Sequence, residues 1–279
     1  MDNAIYYKIL QRRNRYRNPK NLLSIPGDFI YTEAEYREAH EYILSLHKFG
    51  IRYTHPEHGF YPRALLKMKE PPLFLEYIGE PLWMTYQLMS VVGSREIHSL
   101  TEGWMKSHLG EFLQAALPQV GFVSGGARGV DQLAHLIAMK NSKPTIFVLP
   151  SGLHELYPSQ LEVFRRQMAR TPMCFLTEFE MHQKIHKAHF YFRNRIIASL
   201  GNVTLVTQAS IKSGSFLTVH HCLETGRPIL TLPGHPELHG FDGNIQLLRD
   251  GAYLVAHHRD LLDFWKAESS SNLSFVEGV

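Results

Sequence analysis

The residues of this chain that could bind an anionic ligand are glycines and cations that follow short apolar runs. The clearest example is Gly121–Asp131, GFVSGGARGVD, in which an apolar run ends at Ser124-Gly125-Gly126 and a helical pattern begins after Arg128-Gly129. Glycines permit positive φ and a close backbone approach, and the amides at a helix start favour anions. Arg128 could pair bidentately with phosphate oxygens. The stretch predicts a phosphate-binding loop, although a glycine-rich turn that merely packs well has the same pattern.

Short apolar segments alternate with helix-like stretches and must position this loop. The apolar segments are Met89–Val92, Gly121–Val123, Thr145–Leu149, Met173–Leu176, Val203–Val206, Ile229–Leu232 and Tyr253–Val255. The helix-like stretches cover residues 99–117, 130–141, 159–171, 190–201, 215–227 and 243–251. Nearly continuous apolar strands are typical of a parallel sheet that is buried on both faces. We therefore predict an α/β fold with a doubly wound, mainly parallel sheet, and a ligand site beyond the carboxyl ends of its strands.

Cations are concentrated at or near these strand ends. They are Arg95, Arg128, Arg193, Arg195 and Lys212. Five cations at one sheet edge would repel one another unless an anion joined them. Asp131 and Glu178 could neutralise one or two of them as structural pairs, but not all five. Several phosphates in a row explain several cations better than one nucleotide does.

The first fifty residues predict a small helical N-terminal unit. A basic segment, Arg12–Arg17, precedes a break at Pro26-Gly27, and residues 32–50 have the pattern of one amphipathic helix that ends at Gly50. The basic segment could contact a nucleic-acid backbone, although a solvated helix face is the more common meaning of such a run.

The rest of the chain divides into a main domain and a short tail. Prolines exclude a long helix between residues 51 and 81, where Leu73–Ile78 predicts a short lead-in strand. We expect the main domain to cover residues 51–265. The polar residues 266–279 predict a disordered tail.

The composition is that of an ordinary globular protein, with 44% hydrophobic and 20% charged residues among 279. The chain has no long apolar run and its N-terminus lacks the apolar core of a signal peptide, so we expect a cytoplasmic protein without a membrane segment. A net charge of +3 permits nucleic-acid binding but does not argue for it. Cys174 and Cys222 have no CxxC spacing, which disfavours a disulfide framework or a structural zinc site.

Motifs for catalysis, cofactors and metals are not found in the sequence. GxGxxG, GxxxxGK[ST], GxSxG and HExxH are missing, which disfavours dinucleotide enzymes, P-loop NTPases, serine hydrolases and zinc proteases. His182, His186 and His189 could share one face, but no facing carboxylates accompany them, so we expect no metal. Asp131 and Glu178 could in principle act as an acid/base pair. We nevertheless expect a binding protein with no cofactor and no catalytic residue.

Several segments together resemble the DNA-processing protein A (DprA, also called Smf) family. They occur in order over roughly residues 51–265 and read PPLFLEYIG (71–79), VVGSR (91–95), SGGARGVDQLAH (124–135), LPSGLHELYP (149–158), FRNRIIASL (192–200), KSGSFLT (212–218), ETGRPILTLPG (224–234) and GFDGNIQLLRDGA (240–252). Gly126 stands where a larger residue is common in the family. The segment after Trp265 is too short for the winged-helix domain that many members carry.

This resemblance implies an extended Rossmann fold that binds and protects incoming single-stranded DNA, forms homodimers and loads the recombinase RecA in natural transformation and recombination. On matching positions, the DNA site would comprise Gly93, Ser94, Arg95, Ser124, Gly125, Gly126, Arg128, Gly129, Arg193, Asn194, Arg195, Lys212, Ser213, Gly214 and Ser215. One of Phe190, Tyr191 and Phe192 could stack on a base, with buried packing as the equal alternative.

A second hypothesis comes from the wider superfamily, in which similar domains hydrolyse nucleotide N-glycosidic bonds or bind small nucleotides. Such enzymes have a PGGxGT-type loop with a downstream Glu. This chain reads Pro233-Gly234-His235 without that continuation, which favours DNA binding over hydrolysis.

Overall fold

The structure is a computed structural model in which residues 3–13, 30–116 and 120–274 are described, with side chains described up to residue 268. The strands form a single nine-stranded sheet. They are β1 (Arg52–Thr54), β2 (Leu75–Gly79), β3 (Gln87–Val92), β4 (Val120–Ser124), β5 (Thr145–Val148), β6 (Met173–Thr177), β7 (Val203–Val206), β8 (Ile229–Thr231) and β9 (Tyr253–Leu254).

The sheet has the topology that the strand pattern predicts. Its order is β1-β2-β6-β5-β4-β3-β7-β8-β9. Strands β3 to β9 are parallel, whereas β1 and β2 form an antiparallel extension next to β6. The chain builds outward from β3 to β6 and then returns to place β7 on the other side of β3. The predicted Rossmann-like, mainly parallel sheet is confirmed, and its switch point lies between β3 and β7.

Helices cover both faces of the sheet. They are α1 (Ala4–Arg13), α2 (Glu33–Lys48), α3 (Ser99–Trp104), α4 (Gly110–Ala115), α5 (Val130–Lys140), α6 (Leu161–Arg165), α7 (His189–Leu200), α8 (Gly214–Glu224), α9 (Asp242–Arg249) and α10 (His258–Ser274). A π-helical segment, Met105–Leu109, joins α3 to α4, and 3₁₀ turns occupy Arg63–Lys67 and Leu82–Met84. Within these described ranges, no helix combines the length and the apolar character needed to span a bilayer.

Alternating side chains of the strands fill two layers of core. In β3, Leu88 and Val92 pack in the layer with Ile196 of α7, whereas Met89 and Val91 pack in the layer with α4 and α5. Successive side chains of a strand point to opposite faces, so an unbroken apolar strand supplies both layers.

The helical N-terminal unit packs directly on the sheet. Tyr7 of α1 and Leu46 of α2 are fully buried in one cluster with Phe147 and Phe175 of the main domain. The start of α2 is fixed by a capping box in which Thr32 and Glu35 satisfy each other's backbone amides. The predicted helix over residues 32–50 is therefore confirmed, and it is an integral layer of the fold.

Two local expectations differ from the structure, and two others fall on residues that it does not describe. The helix expected over residues 159–171 ends at Arg165, because Gln167 and Arg170 donate to carbonyls three residues earlier and the chain continues as turns. Residues 266–274, expected as disordered tail, continue α10, whose Leu261 and Trp265 anchor the helix in the core. Residues 275–279 and most of the basic segment, from residue 14 onward, lie outside the described residues.

Candidate nucleic-acid interface

The glycine loop between β4 and α5 has the strand, loop and helix arrangement that its sequence predicts. Gly126 and Gly129 have φ values of +69° and +81°, a region that favours glycine. A Cβ at Gly129 would also overlap the backbone carbonyl oxygen of Ser94. The second glycine therefore permits both the backbone turn and the close contact with the loop that follows β3.

Asp131 supports this loop from its own helix. Its Oδ2 accepts hydrogen bonds from the amides of Gly125, at 3.2 Å, and Ala127, at 3.3 Å. The amides of Gly126, Arg128 and Gly129 donate to no acceptor within the described residues. The loop thus uses the amides of Gly125 and Ala127 to hold its own conformation.

Arg193 is buried and, together with Asp131, holds the glycine loop in place. It is 5% exposed, its Nη1 lies 3.8 Å from Asp131 Oδ2, and its guanidinium packs against Gly125 so closely that a Cβ there would overlap it. Burial raises the pKa of Asp131, with Arg193 opposing the rise, and burial lowers the pKa of Arg193. The Arg193–Asp131 pair supports the glycine loop from the protein interior. One edge of Arg193 reaches the surface of the pocket.

Arg195 is a second internal cation. It pairs with the carboxylate of Glu178, just after β6, and donates to the backbone carbonyl of Glu70. Burial raises the pKa of Glu178, and Arg195 opposes that rise. Arg195 therefore links α7 to the segment that precedes β2. The structure confirms that Asp131 and Glu178 each neutralise one of the five predicted cations.

A pocket opens where the loops after β3, β4 and β5 meet the start of α7. The residues that line it are Arg95, Gly125, Ala127, Arg128, Pro150, Tyr157, Pro158, Phe190 and Arg193. Arg95 and Arg128 are exposed and form no ion pair with any residue that the structure describes. Two guanidiniums that no described carboxylate pairs with therefore line one pocket, an arrangement that favours an anion.

An aromatic ring, that of Phe190, lies close to two arginines of the pocket. The Cζ atoms of Arg95 and Arg193 lie 5.3 Å and 5.8 Å from the ring centroid of Phe190, within range of cation–π attraction. Of the three aromatic residues predicted as stacking candidates, Phe190 lines the pocket. Tyr191 instead contacts the ring of His221, and Phe192 lies beside Arg195.

Three of the remaining predicted site residues, Ser94, Ser124 and Gly93, have structural contacts within the protein. The Ser124 hydroxyl donates to the carbonyl of Val91, and that of Ser94 donates to the carbonyl of Glu96. A Cβ at Gly93 would crowd the side chains of Val130 and Thr207, so this glycine lets three loops meet. Both serine hydroxyls and Gly93 therefore serve the packing of the strand ends.

Lys212 to Ser215 lie beside the pocket and do not line it. Asn194 of α7 donates to the Gly214 carbonyl at 3.2 Å, which ties the loop after β7 to the pocket helix. Ser215 is buried in the first turn of α8, and Ser213 precedes that turn. Lys212 is exposed and has no ion pair with the described part of the chain. It is a further exposed cation at the same sheet edge, separate from the two in the pocket.

Sequence reasoning did not select Tyr157 as a site residue. Its side chain is 41% exposed and contacts Phe190 edge-on, with ring centroids 6.0 Å apart. The available signal was its position, because Tyr157-Pro158 follows β5 just as the glycine loops follow β3 and β4. His182, His186 and His189, considered as metal ligands, are engaged in part with the protein, since His189 stacks on Phe179 and contacts the Pro150 carbonyl.

The sequence is similar to those of known proteins. The sequence profile of the family described as DNA recombination-mediator protein A matches residues 52–266. The chain is 32% identical over 203 residues to DNA processing protein DprA of Streptococcus pneumoniae, covering 72% of this chain and 70% of that protein. It is also 32% identical over 206 residues to Protein Smf of Escherichia coli, covering 73% of this chain but only 54% of that protein.

Two solved structures are similar over most of the chain. The X-ray structure of DNA processing protein A from Streptococcus pneumoniae has a TM-score of 0.73 and 27% identity, covering 94% of this chain and 92% of that one. A structure described as giving insights into the unique single-stranded DNA binding mode of DNA processing protein A from Helicobacter pylori has a TM-score of 0.68 and 26% identity, covering 78% and 97%. The chain therefore belongs to the DNA recombination-mediator protein A (DprA/Smf) family.

Proposed function

We propose that this protein binds single-stranded DNA, independently of sequence, through the pocket formed by the loops after β3, β4 and β5. The observation that carries the proposal is the pair Arg95 and Arg128, which are exposed, have no carboxylate partner among the described residues and line one pocket with Phe190. Guanidiniums pair with phosphates, and an aromatic face stacks on any base. The Helicobacter pylori relative, whose description names single-stranded DNA, supports the choice of ligand.

The geometry favours binding over catalysis. No residue that lines the pocket is acidic. Asp131 and Glu178, the carboxylates that could have served as acid and base, are buried beside Arg193 and Arg195. Hydrolysis of an N-glycosidic bond by a carboxylate would require freeing one of them, so we propose a binding protein and not a nucleotide N-glycosidase.

The experiment is a fluorescence-anisotropy titration of the purified chain with labelled oligo-dT and with duplex DNA at several salt concentrations. We expect preference for the single strand and an affinity that falls steeply with salt, because phosphate contacts release counterions. An incubation with nucleoside monophosphates, assayed for free base, runs in parallel. Release of base without binding of oligo-dT would contradict the proposal and would assign the pocket to a hydrolase.

We further propose, from the family, that the chain acts as a homodimer in the cytoplasm and transfers bound DNA to RecA. Strand β9 supports the dimer, since it ends the strand order and exposes Tyr253 and Leu254 at 58% and 54%. Light scattering should give twice the chain mass, and Leu254→Lys should reduce it. A monomeric wild-type protein would contradict this part.

RecA loading is tested separately from DNA binding. On single-stranded DNA coated with a single-strand-binding protein, the chain should shorten the lag before RecA hydrolyses ATP. A variant that lacks Arg95 and Arg128 should not shorten it. An unchanged lag with wild-type chain, despite tight binding of oligo-dT, would limit the function to DNA binding.

A further inference from the structure

A group of three histidines and one glutamate lies outside the pocket. His108 belongs to the π-helical segment and Glu111 to the first turn of α4, while His257 and His258 stand at the start of α10. One nitrogen or oxygen from each of the four residues lies within 4.8 Å of all the others. Single π-helical turns inside α-helices are frequent at functional sites.

The rings and the carboxylate converge from two separate segments. The ring centroid of His257 lies 4.5 Å from that of His108 and 4.1 Å from that of His258. Glu111 Oε2 lies 3.8 Å from His108 Nδ1 and also contacts His258 Nδ1. One carboxylate oxygen is thus shared between imidazoles that come from opposite sides.

The two segments are held in place independently of these four side chains. Trp104 Nε1 donates to the Ala256 carbonyl at 2.7 Å, and Asp260 Oδ2 accepts from the amides of Ala256 and His257, both at 2.8 Å. Phe112 and the buried Trp265 contact each other edge-on, with centroids 5.8 Å apart. These contacts keep the four candidate ligand side chains near one another without the help of an ion.

Two buried nitrogens in this group make no hydrogen bond to the described residues. They are His108 Nδ1 and His258 Nδ1, for which even the nearby Glu111 carboxylate lacks acceptable hydrogen-bond geometry. An unsatisfied buried polar atom costs free energy. An ion that accepts both lone pairs would remove that cost.

We propose that His108, Glu111, His257 and His258 bind a zinc ion that joins the start of α10 to the π-helical segment. Imidazole nitrogen and carboxylate oxygen are ligands that zinc prefers, and four of them complete a tetrahedral site. With four protein ligands no position is left for water or substrate, so the ion is structural. The sequence analysis considered only His182, His186 and His189 and expected no metal. The two pairs proposed here are about 150 positions apart in the chain.

The test measures zinc binding to the full chain without an affinity tag, after treatment with a chelator. Titration against a chromophoric zinc indicator should show one ion per chain. Glu111→Gln and His257→Ala should each weaken binding by at least about tenfold, since even changes outside the ligand shell cost tenfold to a hundredfold. Cobalt in place of zinc should give the visible absorption of a tetrahedral N/O site.

The control is His220→Ala, which removes an exposed histidine that lies 3.6 Å from Glu224 in a similar His–Glu pair on α8. It should leave both the stoichiometry and the affinity unchanged. Circular dichroism and oligo-dT binding, which none of these variants should alter, check that each chain is folded.

Three results would overturn the proposal. One is an absence of saturable zinc binding to the wild-type chain. Another is equal affinity in the wild type, Glu111→Gln and His257→Ala, which would place the ion elsewhere. The third is binding of copper without zinc, which would refute the assignment of the metal.

Discussion

Arg193 and Arg195 lie two residues apart on α7, and Arg95 and Arg128 follow β3 and β4 at the same edge of the sheet. The first two are buried beside Asp131 and Glu178. The other two are exposed, and no carboxylate among the described residues pairs with them. The cation content of a sheet edge therefore overstates the charge available to a ligand. The buried pair builds the site, and the exposed pair is left to bind.

The largest predicted difference between the buried and the exposed arginines is in the stability of the fold. Arg193→Met should lower the free energy of unfolding by about 3–5 kcal/mol, because it leaves the buried Asp131 carboxylate without its cation. Arg95→Ala should change it by no more than about 0.5 kcal/mol, since it removes an exposed side chain. Urea unfolding followed by circular dichroism measures both. If Arg193→Met and Arg95→Ala have the same midpoint as the wild type, the distinction between them fails.

The next predicted effect is on DNA affinity. Here the exposed arginines, Arg95 and Arg128, should matter most, because they are free to contact DNA in the folded protein. Arg95→Ala and Arg128→Ala should each weaken oligo-dT binding by about tenfold, the lower end for a hydrogen bond to a charged group. Each should also reduce the salt slope by about 0.7, the value for one phosphate contact on a single strand. Anisotropy titrations with oligo-dT and oligo-dA should give the same losses, since phosphates carry no base information.

Lys140→Ala is the matched control for these titrations. Lys140 is an exposed cation at the last turn of α5, the end of that helix opposite the glycine loop. Its removal lowers the net charge as much as the loss of Arg95 or Arg128 does. An equal loss of affinity in all three variants would mean that total charge, and not the pocket, determines binding.

The sequence predicted the backbone of the site far better than the state of its charges. Strand periodicity, the glycines of the β4–α5 loop and the βα alternation depend on local patterns, and each of them corresponds to an element of the structure. Whether an arginine is buried depends on which distant carboxylate meets it. Glu178 is seventeen residues from Arg195 and follows another strand, and nothing local in either segment indicates the pair.

Local sequence patterns also failed to predict Tyr157 in the pocket and the four residues of the proposed zinc site. Tyr157 approaches Phe190 only because the loop after β5 turns back over the start of α7. The four residues of the proposed zinc site come together only because α10 packs against α4. Contacts made by chain segments far apart in sequence follow from the assembled fold, so periodicity and motif spacing cannot show them.

The pH dependence of stability would test the environment of Arg193, because the buried His135 experiences the charge of that arginine. His135 is fully buried, its Nδ1 lies 2.7 Å from the Thr145 hydroxyl, and its ring stacks on Phe147 at 3.5 Å. Burial lowers the pKa of His135 well below 6.5, and the charge of Arg193 lowers it further. Below pH 6.5 the unfolded chain therefore binds a proton that the folded chain does not.

Stability should consequently fall as the pH drops below 6.5, by about 1.4 kcal/mol per pH unit for this one group. The measurement is the difference in unfolding free energy between the wild type and His135→Gln at a series of pH values. The difference isolates His135, because every other titrating group is common to both chains. A difference that does not vary between pH 6.5 and pH 5 would show that His135 takes up its proton in the folded state.

The smallest predicted effect tests whether an exposed cation outside the pocket also binds DNA. Lys212 is exposed on the loop after β7, which Asn194 ties to α7 through the Gly214 carbonyl. Lys212→Ala should weaken binding of a long oligo-dT by about twofold to fivefold, as expected for a solvent-exposed ion pair. Its effect should be the same for every base composition, because a lysine contacts the backbone as a point charge.

Oligonucleotide length then locates Lys212 relative to the pocket. An oligo-dT short enough to fill only the pocket should bind Lys212→Ala and wild type equally, whereas Arg128→Ala should weaken the binding of short and long strands alike. A loss in Lys212→Ala that is as large for the short strand as for the long one would place Lys212 at the phosphates inside the pocket. The boundary between the pocket and the neighbouring loop would then have to be redrawn so that the loop after β7 forms one of its walls.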